Sequence, residues 1–241
     1  MTSTLKSSSS NKAGFVSQLF NDIAYKYDLL NNLMSFGTHK RWKEETIKLA
    51  LNKIKNPQEA LDLCSGTGDL AIILNKLTPE TNITCIDSSQ NMLKIAESKI
   101  NNLNLNKIKT LLSDIENLSY KPKSIDLITI GFGLRNTSNK EKCLEIIFHL
   151  LKDRGVFACI DLGHPQNKLW KTIYSSYFFK VIPKLGQMFA HNESAYLYLT
   201  DSLNTWYKQE ELKDLILKTG FRECYLKNIL GGVVAIHVAV K

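Results

Sequence analysis

The segment from Ala60 to Ala71, ALDLCSGTGDLA, constrains the fold more than any other. Short apolar residues run into Asp62 and Leu63, a Ser-Gly-Thr-Gly turn follows, and from Asp69 onward Leu70, Ala71, Ile72, Ile73 and Leu74 take up helical character. A strand, a glycine turn and a helix start in that order open a doubly wound α/β sheet. Gly66 and Gly68 allow close backbone approach to a ligand, and the free amides of the new helix point into the same space.

The glycine spacing leaves the ligand open. Gly66, Gly68 and Ala71 satisfy G-x-G-x-x-A, the dinucleotide pattern, and Asp87 lies about 20 residues further on. The acidic residues argue the other way. Asp69 would repel a pyrophosphate at the helix N-terminus and Asp62 would add negative charge, whereas S-adenosylmethionine (SAM) brings an ammonium and a sulfonium there. SAM is favoured; NAD and a purely structural turn stay open.

Downstream the elements alternate. Strands are expected at Asn82 to Asp87, Ile108 to Leu112, Ile125 to Ile130 and Val156 to Ile160, with helices at Ser89 to Ile100 and Asn139 to Leu151. A helix from Lys208 to Thr219 precedes two closing strands, Phe221 to Leu226 and Val233 to Val240, expected as an antiparallel pair at the sheet edge. Ligands in such sheets sit beyond the carboxyl ends of the strands, and that edge collects Asp62, Asp87, Asp114, Gly131 and Asp161. Asp87 can accept both ribose hydroxyls of an adenosine cofactor, and Asp114 can meet the adenine edge.

Outside this frame, residues 1–14 are rich in Ser, Thr and Lys and are expected to be a disordered tail, followed by one domain over 15–241. Phe15, Val16, Leu19, Phe20, Ile23 and Tyr27 mark an amphipathic helix. Tyr27 to Trp42 then mixes aromatic, amide, imidazole and cationic groups around Gly37, which reads as a pocket wall within a helical lid over 15–55, against the alternative of a helix pair simply packed on the sheet. A continuous apolar face from Leu169 to Met188, flanked by lysines, marks a helical insertion over 164–207 that suits the core, a greasy substrate channel or a bilayer surface.

The formal net charge of +8, carried by lysine at all but four of 31 basic positions, suits an anionic surface or a merely solvated one. No basic-aromatic RNA-binding module is evident, and the greasy helix argues against an RNA substrate. Apolar runs fall short of a membrane span. The five scattered cysteines read as reduced thiols of a cytosol-like compartment, and neither they nor the histidines have metal-ligand spacing, so no metal is expected.

With these residues assembled, the chain resembles a class I SAM-dependent methyltransferase of the UbiE/MenG family of quinone C-methyltransferases, from about Phe15 to the C-terminus. The most specific match is YDLLNNLMSFGTHKRW at Tyr27 to Trp42, supported by LDLCSGTGDLA, by GFGLRN at Gly131 to Asn136, and by AYLYLTDSL and GGVVAIH. The resemblance implies a Rossmann-like fold, a seven-stranded and mostly parallel sheet with an antiparallel last strand and helices on both faces. It implies SAM contacts at Thr67, Asp87, Asp114, Ile115 and Gly131, with Gly66 and Gly68 shaping the loop; Asp62 joins this set through the charge argument above. The implied reaction is methylation of a ring carbon on a reduced prenylated quinone precursor, a demethylmenaquinol or demethylphylloquinol first and a ubiquinone precursor second. Arg135 leads as the residue organising that step, with His39 and Tyr27 as alternatives. The expected partners are a lipophilic prenylated quinol and a peripheral membrane contact, with no nucleic acid and with room for a homodimer; the expected location is the cytoplasm or an organelle stroma or matrix. The chain departs from the family at Leu151 to Gly155, in place of L-K-P-G-G, and at Ile160 to Gly163, in place of L-E-F-S.

Overall fold

The computed structural model describes residues 9–167, 170–172, 202–203 and 205–241. In chain order these form α1 (Ser9–Ser35), α2 (His39–Lys53), β1 (Glu59–Leu63), α3 (Asp69–Leu77), β2 (Asn82–Asp87), α4 (Gln90–Asn102), β3 (Ile108–Leu112), β4 (Ile125–Gly131), α5 (Lys140–Leu150), β5 (Leu151–Leu162), α6 (Gln209–Lys218), β6 (Glu223–Ile229) and β7 (Val234–Val240). The described strands make one sheet in the order β3-β2-β1-β4-β5-β7-β6. All neighbours up to β5 pair in parallel, and β7 is antiparallel to both β5 and β6. The expected closing pair is therefore present, with β7 between β5 and β6 and with β6 at the edge.

Both faces of the sheet are apolar, which is why β1, β4 and β5 read as nearly continuous hydrophobic runs. Val156, Ala158 and Ile160 of β5 pack with Ile47 of α2, Leu70 of α3 and Leu93 of α4 on one face. Phe157 and Cys159 pack with Leu144 of α5 and Ile216 of α6 on the other. Local chemistry sets the helix starts: Ser89 caps α4 by accepting from the Met92 amide, and Asn139 caps α5 by accepting from Lys142.

Three expectations need correction or bounding. The first helix begins at Ser9, inside the stretch assigned to a disordered tail. The helix nucleated by the apolar face from Phe15 propagates backward through Gly14, at a cost of about 1 kcal/mol relative to alanine, into residues 9–13, which hold no proline or glycine. The fifth strand starts at Leu151 rather than Val156, because its first pairing, Leu151 with Ile125, is offset by a register shift that absorbs Lys152 to Gly155, where Arg154 has φ +65°. The apolar helix expected over Leu169 to Met188, and most of the 164–207 insertion, lie outside the described residues.

Candidate active site

The strand order reverses between β1 and β4, and a cleft of about 730 Å³ opens beyond the carboxyl ends of β1, β2, β3 and β4. Its floor is the glycine turn after β1. Gly68 caps α3 with φ +80°, and a Cβ there would meet Ala96 of α4 at 3.2 Å, so the close approach of α4 as well as the backbone demands glycine. Cys64 also has a left-handed φ, +52°, a conformation that favours glycine. Its side chain is accommodated because Gly133 faces it: a Cβ on Gly133 would lie 2.4 Å from the Cys64 Cβ.

Asp87 ends β2 in the cleft wall. Its Oδ2 accepts from the Gly66 amide at 2.8 Å and its Oδ1 from the Ser89 amide at 2.8 Å. Burial pushes this carboxyl above the usual range, against the pull of those amides. Each oxygen keeps further acceptor capacity, as recognition of vicinal hydroxyls requires. Asp114 and Ile115 lie in the wall at the end of β3, with the Asp114 side chain accepting from the Glu116 amide at 2.8 Å. Gly66 and Gly131 line the cleft as expected, and so does Tyr27 of α1.

The remaining expected residues stand behind this wall. Asp62 is 1% exposed, accepting from Thr129 Oγ1 at 2.7 Å and from the Ala71 amide at 3.3 Å. Burial pushes its carboxyl up to about 7, against those two hydrogen bonds. Thr67 is buried and its hydroxyl donates to Asp28 Oδ1 at 2.7 Å. His39 is buried at the start of α2 with Nδ1 2.8 Å from Ser35 Oγ; burial, then the nearby Lys43 charge, lower its pKa to about 4. Arg135 is 7% exposed, and its Nη1 donates to Asp161 Oδ1 at 2.5 Å and to the Phe132 carbonyl at 2.6 Å. Of the three candidates for organising catalysis, Tyr27 alone is in the cleft wall.

The charge argument from Asp69 fails. Its two oxygens are met by Lys43 Nζ at 2.8 Å and Lys99 Nζ at 3.0 Å. Burial alone would raise its carboxyl, but the two ammonium groups hold it well below the usual carboxylate range. Asp69 is thus compensated by the protein itself rather than held for a cationic ligand.

Several wall residues are not singled out from the sequence as site residues. Val16 and Phe20 of α1, Glu116, and Phe132 (φ +58°) and Asn136 of the GFGLRN segment all line the cleft. The signal for Val16 and Phe20 is the apolar face of the first helix, which precedes the sheet. Glu116 Oε1 accepts from the Ser138 and Asn139 amides at 2.6 and 3.0 Å, fastening the loop after β3 to the loop after β4.

This geometry agrees with the chain's relatives. The model of the ubiE/COQ5 methyltransferase family matches residues 5–241. The chain belongs to that family. It is 37% identical to the ubiquinone/menaquinone biosynthesis C-methyltransferase UbiE of Rickettsia bellii (strain RML369-C), over 98% of this chain and 96% of the relative. It is also 37% identical to the UbiE of Edwardsiella ictaluri (strain 93-146), over 96% and 92%. Among solved structures, a SAM-dependent methyltransferase from Aquifex aeolicus superposes with a TM-score of 0.58 at 18% identity, over 80% of this chain and 88% of that one. Haemonchus contortus phosphoethanolamine N-methyltransferase 2, bound to SAM, gives 0.59 at 15% identity, over 82% and 52%. These distant likenesses establish the class I methyltransferase fold. This ubiE/COQ5-family chain is accordingly a SAM-dependent methyltransferase, which decides the ambiguous glycine spacing in favour of the methyl donor. Asp87 and Asp114 fit the donor's nucleoside: a buried carboxylate with open acceptor positions faces the cleft from the end of β2, and a second acidic residue follows at the end of β3.

Proposed function

We propose that the chain methylates a ring carbon of a reduced prenylated quinone precursor, with a demethylmenaquinol- or demethylphylloquinol-type naphthoquinol as the preferred acceptor. The observation that carries this reading is the identity of 37% to relatives named as ubiquinone/menaquinone C-methyltransferases over nearly the whole of both chains. The cleft supports it: Phe20, Tyr27 and Phe132 offer aromatic surface beside the nucleoside carboxylate Asp87.

The chemistry asks for three things. A ring hydroxyl gives up its proton, so that the adjacent carbon becomes nucleophilic; that carbon forms its bond to the sulfonium methyl as the S–CH3 bond breaks, releasing S-adenosylhomocysteine (SAH); and the same carbon loses its proton as the ring regains aromaticity. We assign Tyr27, which lines the cleft, to contact with the acceptor. Arg135, locked to Asp161 and to the Phe132 carbonyl, holds the Gly131–Asn136 turn in shape rather than acting as a base. No helix among the described residues is long and apolar enough to cross a membrane. The lipid tail of such an acceptor calls for an encounter at the membrane surface, where the excess of lysine favours anionic headgroups.

The test is to incubate the protein with methyl-labelled SAM and detergent-dispersed, reduced demethylnaphthoquinol and benzoquinol acceptors. Label in the naphthoquinol ring is the expected result; label in the benzoquinol alone reassigns the acceptor, and label in neither removes the proposal.

A further inference from the structure

The second residue of the Tyr27-Asp28 pair contributes to the site without entering the cleft. Asp28, on α1, accepts the Thr67 hydroxyl on Oδ1 at 2.7 Å and pairs through Oδ2 with Lys99 Nζ at 2.6 Å. Lys99, on α4, also meets Asp69 at the start of α3, and Asp69 meets Lys43 of α2. Four alternating charges thus join α1, α4, α3 and α2 around the glycine turn. Beside them, Ser17 Oγ donates to the Ser88 carbonyl at 2.9 Å, and Asn21 Oδ1 accepts from Ser89 Oγ at 2.7 Å and the Asn91 amide at 3.0 Å, which holds α1 to the loop after β2.

Thr67 lies between the two glycines that shape the turn, and it is 2% exposed. A hydroxyl has one proton to donate, and Asp28 takes it. The bond is charge-assisted and its donor is buried, although the Asp28 side chain is 37% exposed, so it constrains the turn more strongly than a neutral pair would. The chain places no other α1 side chain on the turn by a hydrogen bond among the described residues. We propose that Asp28 is a positioning residue for methyl-donor binding: through the Thr67 hydroxyl it fixes the Ser65–Gly68 turn in its receiving shape and ties the lid helix α1 to that shape. Lys99, paired with Oδ2, keeps the carboxylate aimed. The inference rests on the glycine turn holding the donor.

A double-mutant cycle on SAH affinity, measured by titration calorimetry, tests it. Asp28→Ala and Thr67→Val are each expected to weaken SAH about tenfold, the loss of one charge-assisted hydrogen bond, and the double variant to be no weaker than either single one. Thr67→Ser, which keeps the hydroxyl, is expected to stay within about twofold of the wild type. Multiplying losses, about a hundredfold in the double variant, would show that the two residues act separately and overturn the proposal. So would an Asp28→Ala protein that melts earlier yet binds SAH like the wild type, since that is all a packing role predicts. Failure of the wild type itself to bind SAH would instead remove the donor site on which the inference stands.

Discussion

The turns that close β1 and β4 are neighbours at the switch point of the sheet, and they handle charge in opposite ways. Beside the first, Asp87 faces the cleft with only backbone amides for partners. Beneath the second, Arg135 and Asp161 are 7% and 2% exposed and satisfy one another at 2.5 Å. A carboxylate held by backbone amides keeps acceptor positions open for a ligand, whereas one matched by a full cation has become scaffold. Asp69, with its two lysines, belongs to the second kind although it sits beside the first turn.

The largest effect should come from breaking the compensated turn. Arg135→Ala leaves Asp161 buried without its cation and should cost about 3–5 kcal/mol in urea denaturation, with methyl transfer lost. Replacing both, Arg135→Met with Asp161→Leu, should restore much of that stability and none of the activity. A single variant as stable as the wild type would erase the distinction between the two turns.

At the ligand-facing turn the order of effects should reverse. Asp87→Asn should weaken SAH by about 10- to 100-fold, the range for hydrogen bonds to a charged group, with a smaller change in unfolding free energy than Arg135→Ala. Calorimetry and denaturation on the same preparation check both halves.

Between the turns, Gly133→Ala should destabilise by about 1–3 kcal/mol through overpacking, because its new methyl meets the Cys64 side chain. Adding Cys64→Gly should recover most of the loss, since glycine removes the clashing atoms and suits the φ of +52°. Thermal melts of the single and double variants read this directly.

The smallest effects are in pH dependence. Asp62 has its carboxyl raised from 3.8 to about 7, so the folded state holds a proton that the unfolded chain releases. Its contribution to stability is present at low pH and fades between about pH 4 and pH 7. His39 works the other way: with its pKa lowered from 6.5 to about 4, its contribution is present at neutral pH and fades as pH falls from 6.5 toward 4. The difference in unfolding free energy between wild type and Asp62→Asn should therefore shrink as pH rises through that window, and the corresponding difference for His39→Gln should shrink as pH falls.

Much of the fold was legible from local pattern. The strand ends at Leu63, Asp87 and Gly131, the capped starts of α4 and α5, and the antiparallel closing pair all follow from periodicity, capping residues and glycine placement, which depend on neighbours in the chain. The wall positions of Asp87, Asp114, Ile115, Gly66 and Gly131 follow from the same logic, because strand ends face one edge. The cleft-facing role of Val16 and Phe20 did not follow, since an apolar helix face shows that it is buried and not what it is buried against.

By itself, then, the sequence determined the doubly wound class, the sheet edge at which the cleft opens and, through the Tyr27–Trp42 segment, the family. Only the tertiary structure decided which charges remain available. Asp69 and Asp62 looked like electrostatic assets, and Arg135 like an open functional group, until Lys43, Lys99, Thr129 and Asp161 were found on them. Those partners lie from 26 to 67 residues away along the chain. The value of a charge depends on what stands within a few ångströms, and no local pattern carries that.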